Sequence, residues 1–438
     1  MSVLRVYLHD RYAGLLERPD EQLLDLTFTY DRDYLAAADA AAVPLSLSLP
    51  LRTDPYTGAT ARNWFANLLP EGAARQHLAA QFGLTIQDDF GLLGAIGREC
   101  AGAVSLWPHD QRPQQQRGAH RRLDDATIEA WVQSRPRGAI AGDNRLRLSL
   151  AGAQDKIGVV LEQDGSLSEP LDGAISSHIL KAPNTDYPGL IALEAFGMLL
   201  ARAAQLNVPR VTLVGSPTRC LVIERFDRER SANETLRRLH QEDFCQALGL
   251  PPEHKYETHG GPSLARCFNL VRELGLGASA LNALLDWTIL NVTLGNADAH
   301  GKNLALLYQR NGTATLAPFY DMVPTAVFSP TRVDRDLAMT IGGAETVDDI
   351  EPQDWRDFAR DCKLGARYVP RRMAAVVERA RNAIDPVVNE LSKQGAEQPI
   401  LERAAQVIGA RCNALLSGAA LPQPEVAQAP TGAWGMSL

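Results

Sequence analysis

The chain has 438 residues, of which 45% are hydrophobic and 22% charged, and its 44 basic and 52 acidic side chains leave a formal net charge of −8. This composition belongs to a globular protein with room for two or three cores rather than to a disordered chain, and the acidic balance excludes a chain-wide basic field for nucleic acid. The N-terminal MSVLRVYLHD lacks the apolar segment of a signal peptide, no stretch is apolar for long enough to span a bilayer, and the six cysteines are scattered without C-x-x-C spacing; the expectation is a cytoplasmic protein with reduced thiols, no membrane association and no zinc site.

In chain order, residues 1–30 alternate in short strand-like runs, VLRVYLHD and LLDLTFTY. PLSLSLPL (44–51) alternates Leu and Ser with period two, which predicts a strand closed by proline. RNWFANLLPEGAARQHLAAQFG predicts helix interrupted at Pro70, DDFGLLGAIG a short helix, and GAVSLWP a strand that ends an N-terminal α/β subdomain at residues 1–107. The polar PHDQRPQQQRGAHRR marks a linker or exposed loop over 108–125. Residues 126–226 form a strand-rich lobe. In it NRLRLSLAGAQDKIGVVLE and SSHILKAP flank the turn-prone QDGSLSEPLDG, PGLIALEAFGMLLARAAQLN is an amphipathic helix stopped by Asn207 and Pro209, and VTLVGSPTRCLVIERF gives two strands about Gly215-Ser216-Pro217. Residues 227–417 are mainly helical, with helices near 241–249, 263–275, 278–294, 353–361, 369–394 and 399–417. They are interrupted by NLALLYQRNGTATLAPFYD, a hairpin about Asn311-Gly312. The tail 418–438 has three prolines and no periodicity, the pattern of disorder.

TLGNADAHGKN (293–303) crowds polar groups directly behind the apolar WTILNV. Asp298 precedes Asn303 by five residues, the interval between base and metal-binding Asn in the kinase catalytic loop. The following hairpin should return Asp321 beside Asn303, and a carboxylate next to an amide offers the hard oxygen ligands that suit Mg2+. Upstream, Ala151, Gly152 and Ala153 place small side chains between strands, where backbone N–H groups can approach phosphates. Lys181 falls near the end of a strand, and Glu194 lies among apolar neighbours on the next helix, where an ion pair with Lys181 would satisfy both. Taken singly, each element has a plain reading: a turn-forming Asp, an ordinary hairpin turn, a solvated Lys, a helix-surface Glu. Their order along the chain is that of a two-lobed kinase.

At this point the chain resembles the HipA serine/threonine kinases, the toxins of bacterial HipBA toxin–antitoxin modules. The resemblance rests on PLSLSLPL, NLLPEG and IGRECAGAVSLWP in the first domain, and on LSLAGAQDK, SSHILK, LVIERFD, QEDFCQALGL, HKYETHGGPS, GNADAHGKN and APFYD after it. It implies an α+β, protein-kinase-like fold, two-lobed, with an N-terminal α/β subdomain and a helical C-terminal lobe. It implies ATP and Mg2+ as cofactors, Asp298 as catalytic base, and Asn303 and Asp321 as metal ligands. Lys181 would contact the ATP phosphates, with Ala151, Gly152, Ala153, Gln154, Asp155 and Lys156 as phosphate loop and the backbone of Glu224, Arg225 and Phe226 as adenine hinge. His300, Gly301, Lys302 and Tyr320 would lie at the nucleotide, Gln241 and Phe244 at a helix start bordering its pocket, and Ser149 would be the autophosphorylated serine.

The partners implied are a helix-turn-helix antitoxin of the HipB type and a protein substrate, an aminoacyl-tRNA synthetase being the candidate. Operator DNA would be reached mainly through the antitoxin, because TIGGAETVDDIEP (340–352), where some family members carry a basic DNA-contacting loop, holds Glu345, Asp348, Asp349 and Glu351 and no Lys or Arg. Two other readings stay open on the residues alone: a catalytically silent, antitoxin-binding co-repressor, and a small-molecule or lipid kinase, which also uses D-x-x-x-x-N.

Overall fold

A computed structural model of the chain describes residues 2–19, 25–36, 43–113, 119–133, 156–171, 174–184, 186–231, 235–309 and 311–422. The first domain is an antiparallel sheet of β1 (Ser2–Leu8), β2 (Arg11–Arg18), β3 (Thr27–Tyr30), β4 (Tyr56–Thr57) and β5 (Val104–Pro108), in the order β4-β3-β2-β1-β5. Helices α1 (Arg32–Ala36), α2 (Ala59–Ala66), α3 (Gly72–Gln81) and α4 (Asp89–Ile96) accompany it. Its core gathers Val6, Leu16, Phe28, Trp64, Phe65, Leu93 and Leu106. The helix expected to break at Pro70 is indeed two helices, α2 and α3.

PLSLSLPL is not a strand. It makes a tight turn with a single bridge between Ser46 and Leu49, because its alternation serves two different bodies. Leu45 and Leu49 enter the first-domain core, whereas Leu47 packs on the core of the C-terminal lobe. The Ser46 hydroxyl donates to Glu242 at 2.5 Å, and Ser48 donates to the Gln246 carbonyl at 2.8 Å. Glu242 also accepts from the Leu47 amide, Trp64 Nε1 and the Tyr308 hydroxyl. Burial nevertheless pushes this carboxyl up to about 7, against those donors.

The second sheet runs β10-β11-β9-β7-β8-β6. Its strands are β6 (His120–Leu123), β7 (Lys156–Leu161), β8 (Leu167–Pro170), β9 (His178–Lys181), β10 (Val211–Val214) and β11 (Cys220–Glu224), with α5 (Asp125–Gln133) and α6 (Leu190–Ala203) against it. Two expectations change here. The stretch read as linker supplies β6, which pairs with β8, and β8 itself lies in the segment read as turn. Helix α6 is not one-sided either: Ile191 through Ala201 are all buried, because it is sandwiched between β10 and β11 and the C-terminal helices. A short ribbon follows, β12 (Arg228–Arg230) with β13 (Leu236–Arg238).

In the C-terminal lobe β14 (His240–Asp243) leads into α7 (Phe244–Ala247). The helix expected near 241–249 is therefore half strand, because Asp243 and Gln246 form a capping box that starts the helix only at Phe244. Helices α8 (Leu264–Glu273) and α9 (Gly277–Leu294) precede the hairpin β15 (Ala305–Tyr308) and β16 (Ala314–Leu316), which joins β14 in one sheet. A second hairpin, β17 (Asp336–Ile341) and β18 (Ala344–Thr346), is followed by α10 (Pro352–Asp361), α11 (Tyr368–Lys393) and α12 (Gln398–Ser417). Of the tail expected to be disordered, residues 423–438 lie outside the described residues, and Leu421 is buried in the lobe's core. All six cysteines are buried and none forms a disulfide, and among the described residues no helix is long and apolar enough to cross a membrane.

One buried arginine ties the C-terminal helices to the end of α9. Arg411, 1% exposed, donates from Nη2 to the Val292 carbonyl at 2.9 Å and the Val347 carbonyl at 2.8 Å, and from Nη1 to Asp348 at 2.8 Å. Losing Arg411 leaves Asp348 with Arg335 at 3.8 Å, and removing one member of a buried ion pair costs about 3–5 kcal/mol. Arg411→Met should therefore lower unfolding stability by about that amount in urea titrations, although Met keeps most of the apolar bulk.

Candidate active site

Helix α9 stops at Gly295, whose φ of +65° and tight packing admit no side chain: a Cβ there would lie 2.3 Å from Ala326 Cβ. The loop that follows is cemented residue by residue. Asn296 Nδ2 donates to Asn291 Oδ1 at 2.8 Å, and Asn296 Oδ1 accepts the Asp298 amide at 3.1 Å. The Ala297 amide donates to Thr325 Oγ1, whose hydroxyl donates to the Gly295 carbonyl. Asn296, Ala297, His300, Lys302 and Asn303 are buried, but Asp298 is exposed. The polar crowding behind the apolar helix thus has a structural cause: most of its polar groups hold the loop so that one carboxylate can face outward.

On the other side of the site, Lys181 on β9 donates to Glu194 Oε1 on α6 at 2.7 Å and to Asp321 Oδ1 at 3.0 Å. The first is the ion pair expected from the sequence; the second brings Asp321 to the same ammonium. Close approach of α6 to the Asp321 segment depends on Gly197, where a Cβ would lie 1.8 Å from the Met322 carbonyl oxygen. Burial alone would lower the Lys181 pKa, but Asp321 and Glu194 outweigh it and raise it. Burial would likewise raise Asp321, yet Lys181 and Lys156 hold it well below the carboxylate range. Lys156 pairs with Lys181 across β7 and β9; burial, then the neighbouring Lys181, push it down to about 8.

The hairpin about Asn311-Gly312 returns as expected. The Ala317 amide donates to the Ala305 carbonyl, and the Tyr320 hydroxyl donates to the Lys302 carbonyl at 2.6 Å, so the residues preceding Asn303 and Asp321 are in contact. Asn303 Oδ1 is buried with no protein partner, and Asp321 adopts a left-handed φ of +59°. An orphaned amide oxygen and a carboxylate fit the sparse protein ligation of Mg2+, which keeps water and phosphate oxygens as its remaining ligands. Among the described residues no cluster of three or more His, Cys, Asp or Glu offers an all-protein metal cage.

The other expected residues are distributed unevenly. Phe226 stacks on Tyr320 at 5.5 Å between ring centroids. The Glu224 and Arg225 amides donate to the Arg210 and Ser177 carbonyls, and the Arg225 side chain turns away into an ion network with Glu99 and Asp227. Lys302, expected at the nucleotide, turns its ammonium to the first domain, donating to Asn67 Oδ1 at 2.7 Å and lying 3.2 Å from Glu71. Gln241 lies on strand β14 and Phe244 in the core. His300 and Gly301 are buried beside Asp298. Ser149 and Ala151, Gly152, Ala153, Gln154 and Asp155 lie outside the described residues. Sequence reasoning missed Asn67, Glu71 and Tyr256, whose hydroxyl donates to Asp298 Oδ1 at 2.8 Å. Their signal was present only as NLLPEG and HKYETHGGPS, motifs with no chemistry of their own.

A strand lysine shared by a helix glutamate and a post-hairpin aspartate, together with an exposed aspartate on the loop behind a long helix, is the residue set of a phosphoryl-transfer site of the protein-kinase type. The chain belongs to the HipA family: residues 4–107 match the HipA N-terminal domain and residues 148–387 the HipA-like C-terminal domain. It is 39% identical over 404 residues to the putative kinase Y4mE of Sinorhizobium fredii, covering 90% of this chain and 93% of that one. It is 29% identical over 385 residues to the serine/threonine-protein kinase toxin HipA of Shewanella oneidensis, covering 82% and 84%. Its fold matches a chain of the S. oneidensis HipA, HipB and operator DNA complex with a TM-score of 0.79 and 25% identity, covering 94% and 97%. The enzyme class is accordingly that of a serine/threonine kinase, with the α+β kinase-like fold.

Lys181→Met deletes both ion pairs and leaves the buried Glu194 with Lys156 as its neighbouring positive charge, which should cost about 3–5 kcal/mol at neutral pH. Burial already raises the Glu194 pKa and losing Lys181 raises it further, so the native variant binds the extra proton and its stability rises as pH falls. The deficit against wild type should narrow between pH 8 and pH 5 in paired thermal melts.

Proposed function

We propose that the chain is the toxin of a toxin–antitoxin module, an ATP- and Mg2+-dependent kinase that phosphorylates serine or threonine on a protein of the translation apparatus and so arrests growth, promoting dormancy or persistence. The observation that carries the catalytic part is the exposed Asp298 on a mostly buried loop, with the orphaned Asn303 Oδ1 five residues on and the Lys181-bound Asp321 at the end of the following hairpin. Asp298 orients a substrate hydroxyl and accepts its proton. Lys181 binds phosphate oxygens, with Lys156 and residues 151–155 completing the phosphate side. Phe226 and Tyr320 support the hinge on which adenine rests, and His300 and Gly301 back the nucleotide. Asn303 and Asp321 would hold magnesium, whose charge, when bound, offsets that of the phosphates.

The partners follow from the relatives. The solved S. oneidensis protein assembles with HipB and operator DNA, so a HipB-type helix-turn-helix antitoxin is the partner here, neutralising the kinase and co-repressing the operon with it. Glu345, Asp349 and Glu351 are exposed along 340–352, which favours operator contact through the antitoxin. An aminoacyl-tRNA synthetase is the candidate substrate. A silent co-repressor would not need the charged set at Lys181; a small-molecule or lipid kinase would transfer label from ATP into non-protein material.

Asp298→Asn keeps the shape and removes the base, so label transfer from radioactive ATP to protein should fall on the order of 10²–10⁴-fold. In the wild type, mass spectrometry after incubation with Mg2+ and ATP should find phosphate on Ser149, self-inactivating by adding roughly −1.5 to −2 charges beside a polyanion; the Asp298→Asn protein should carry none. Normal transfer by a folded Asp298→Asn protein refutes the base assignment. Asp321→Ala should leave ATP binding insensitive to Mg2+ in calorimetry, and a wild-type metal dependence in that variant would remove Asp321 from the ligand set.

A further inference from the structure

HKYETHGGPS (254–263) takes no part in the site as drawn above, yet it is pressed against the catalytic loop. The Tyr256 hydroxyl donates to Asp298 Oδ1 at 2.8 Å, and the Lys255 carbonyl accepts the Gly301 amide at 3.2 Å. The Tyr256 ring meets the ring of His300 edge-on, with centroids 5.4 Å apart. The segment is anchored at both flanks of the tyrosine. Lys255 Nζ donates to Glu71 of the first domain at 2.8 Å. Glu257 accepts from the Thr340 amide at 2.7 Å and hydroxyl at 3.0 Å, on β17.

An exposed carboxylate behind a glycine-capped helix has freedom to rotate, and a general base works only when it is held within about 2.6–3.2 Å of the proton it takes. The geometry points to Tyr256 as a positioning residue for phosphoryl transfer: its hydroxyl fixes one oxygen of Asp298 so that the other, Oδ2, faces the acceptor hydroxyl of the substrate. Burial and then the adjacent Asp298 hold the phenol pKa well above its ordinary value, so the group remains a donor at neutral pH. Through Lys255 and Glu71, the clasp that carries Tyr256 is fastened to the first domain.

The inference rests on Asp298 being the base, and the test separates the two. Full-length wild type, Tyr256→Phe, Asp298→Asn and the double variant are compared in Mg2+-dependent label transfer from radioactive ATP to protein in a cell extract, with ATP affinity measured by calorimetry. Phenylalanine keeps the ring against His300, and retained ATP affinity reports a folded site. Because misplacement of a reacting group by about 1 Å can cost 10²-fold, Tyr256→Phe should lower the turnover rate about tenfold or more, leave the ATP dissociation constant within about twofold, and add no further loss to Asp298→Asn. A wild-type turnover rate in Tyr256→Phe, an equal loss in ATP affinity, a full extra loss in the double variant, or label found on Tyr256 itself would each overturn the positioning role. If Asp298→Asn transfers normally, the base assignment fails first, whatever Tyr256→Phe does.

Discussion

The site hangs on one ammonium group. Lys181 is buried, and a lone buried lysine would discharge its proton rather than stay charged. Two carboxylates prevent that: Glu194 from α6 and Asp321 from the segment after the hairpin. Because they come from different parts of the chain, the ammonium is also a geometric pin. It fixes the strand sheet that supplies Lys181, the helix behind it, and the return of the hairpin that carries Asp321. The fit is sterically tight as well, since Gly197 gives α6 no side chain where the Met322 carbonyl passes.

The same principle, buried charge satisfied across a domain boundary, binds the first domain to the kinase lobes. Glu99, just after α4, receives Arg225, Arg228 and Arg238, and Asp227 receives Arg225, Arg228 and the Gly102 amide. Burial would raise the Glu99 carboxyl, but Arg238, Arg228 and Arg225 bring it down to about 2. Glu71 behaves alike: burial is outweighed by Lys302 and Lys255, and its pKa is about 2. Segment 224–226 and the loop of residues 296–303 are thus each fastened to the first domain by ionised carboxylates. Removing one partner of such a network costs more than the pair contributes, because the other charge is left in low dielectric. The first domain is therefore a structural component of the kinase rather than an appendage on a linker.

What could be read from the sequence was local or ordered along the chain. The periodicity of α9, the Asn-Gly turn, and the sequence Lys181, Glu194, Asp298, Asn303, Asp321 gave the kinase architecture and the Lys181–Glu194 pair. What escaped was set by contacts between distant segments. Ser46 and Ser48 look like the outward face of a strand, but they are hydrogen-bonding partners of Glu242 and Gln246, some two hundred residues on. Lys302 looks like a nucleotide ligand from its place in the loop, and only the fold shows Asn67 and Glu71 beside it. Tyr256 carries no motif that marks a contact with Asp298. Of the phosphate loop read over 151–156, residues 151–155 lie outside the described residues.

The charge balance fits the polyanion that the proposed kinase reaction requires. Lys156 and Lys181 face each other across β7 and β9, two like charges that Asp321 and Glu194 help to make tolerable. Burial and the neighbouring Lys181 bring Lys156 down to about 8. Negative charge placed against the pair favours the protonated form of Lys156 and repays part of its desolvation. The same charge would repel Asp321, which is half-exposed where Glu194 is buried. Glu194 and Asp321 share the Lys181 ammonium, one from the interior and the other from the half-exposed side; in the proposed function Mg2+ would offset the phosphate charge at Asp321, with the unpartnered Asn303 Oδ1 as a further ligand.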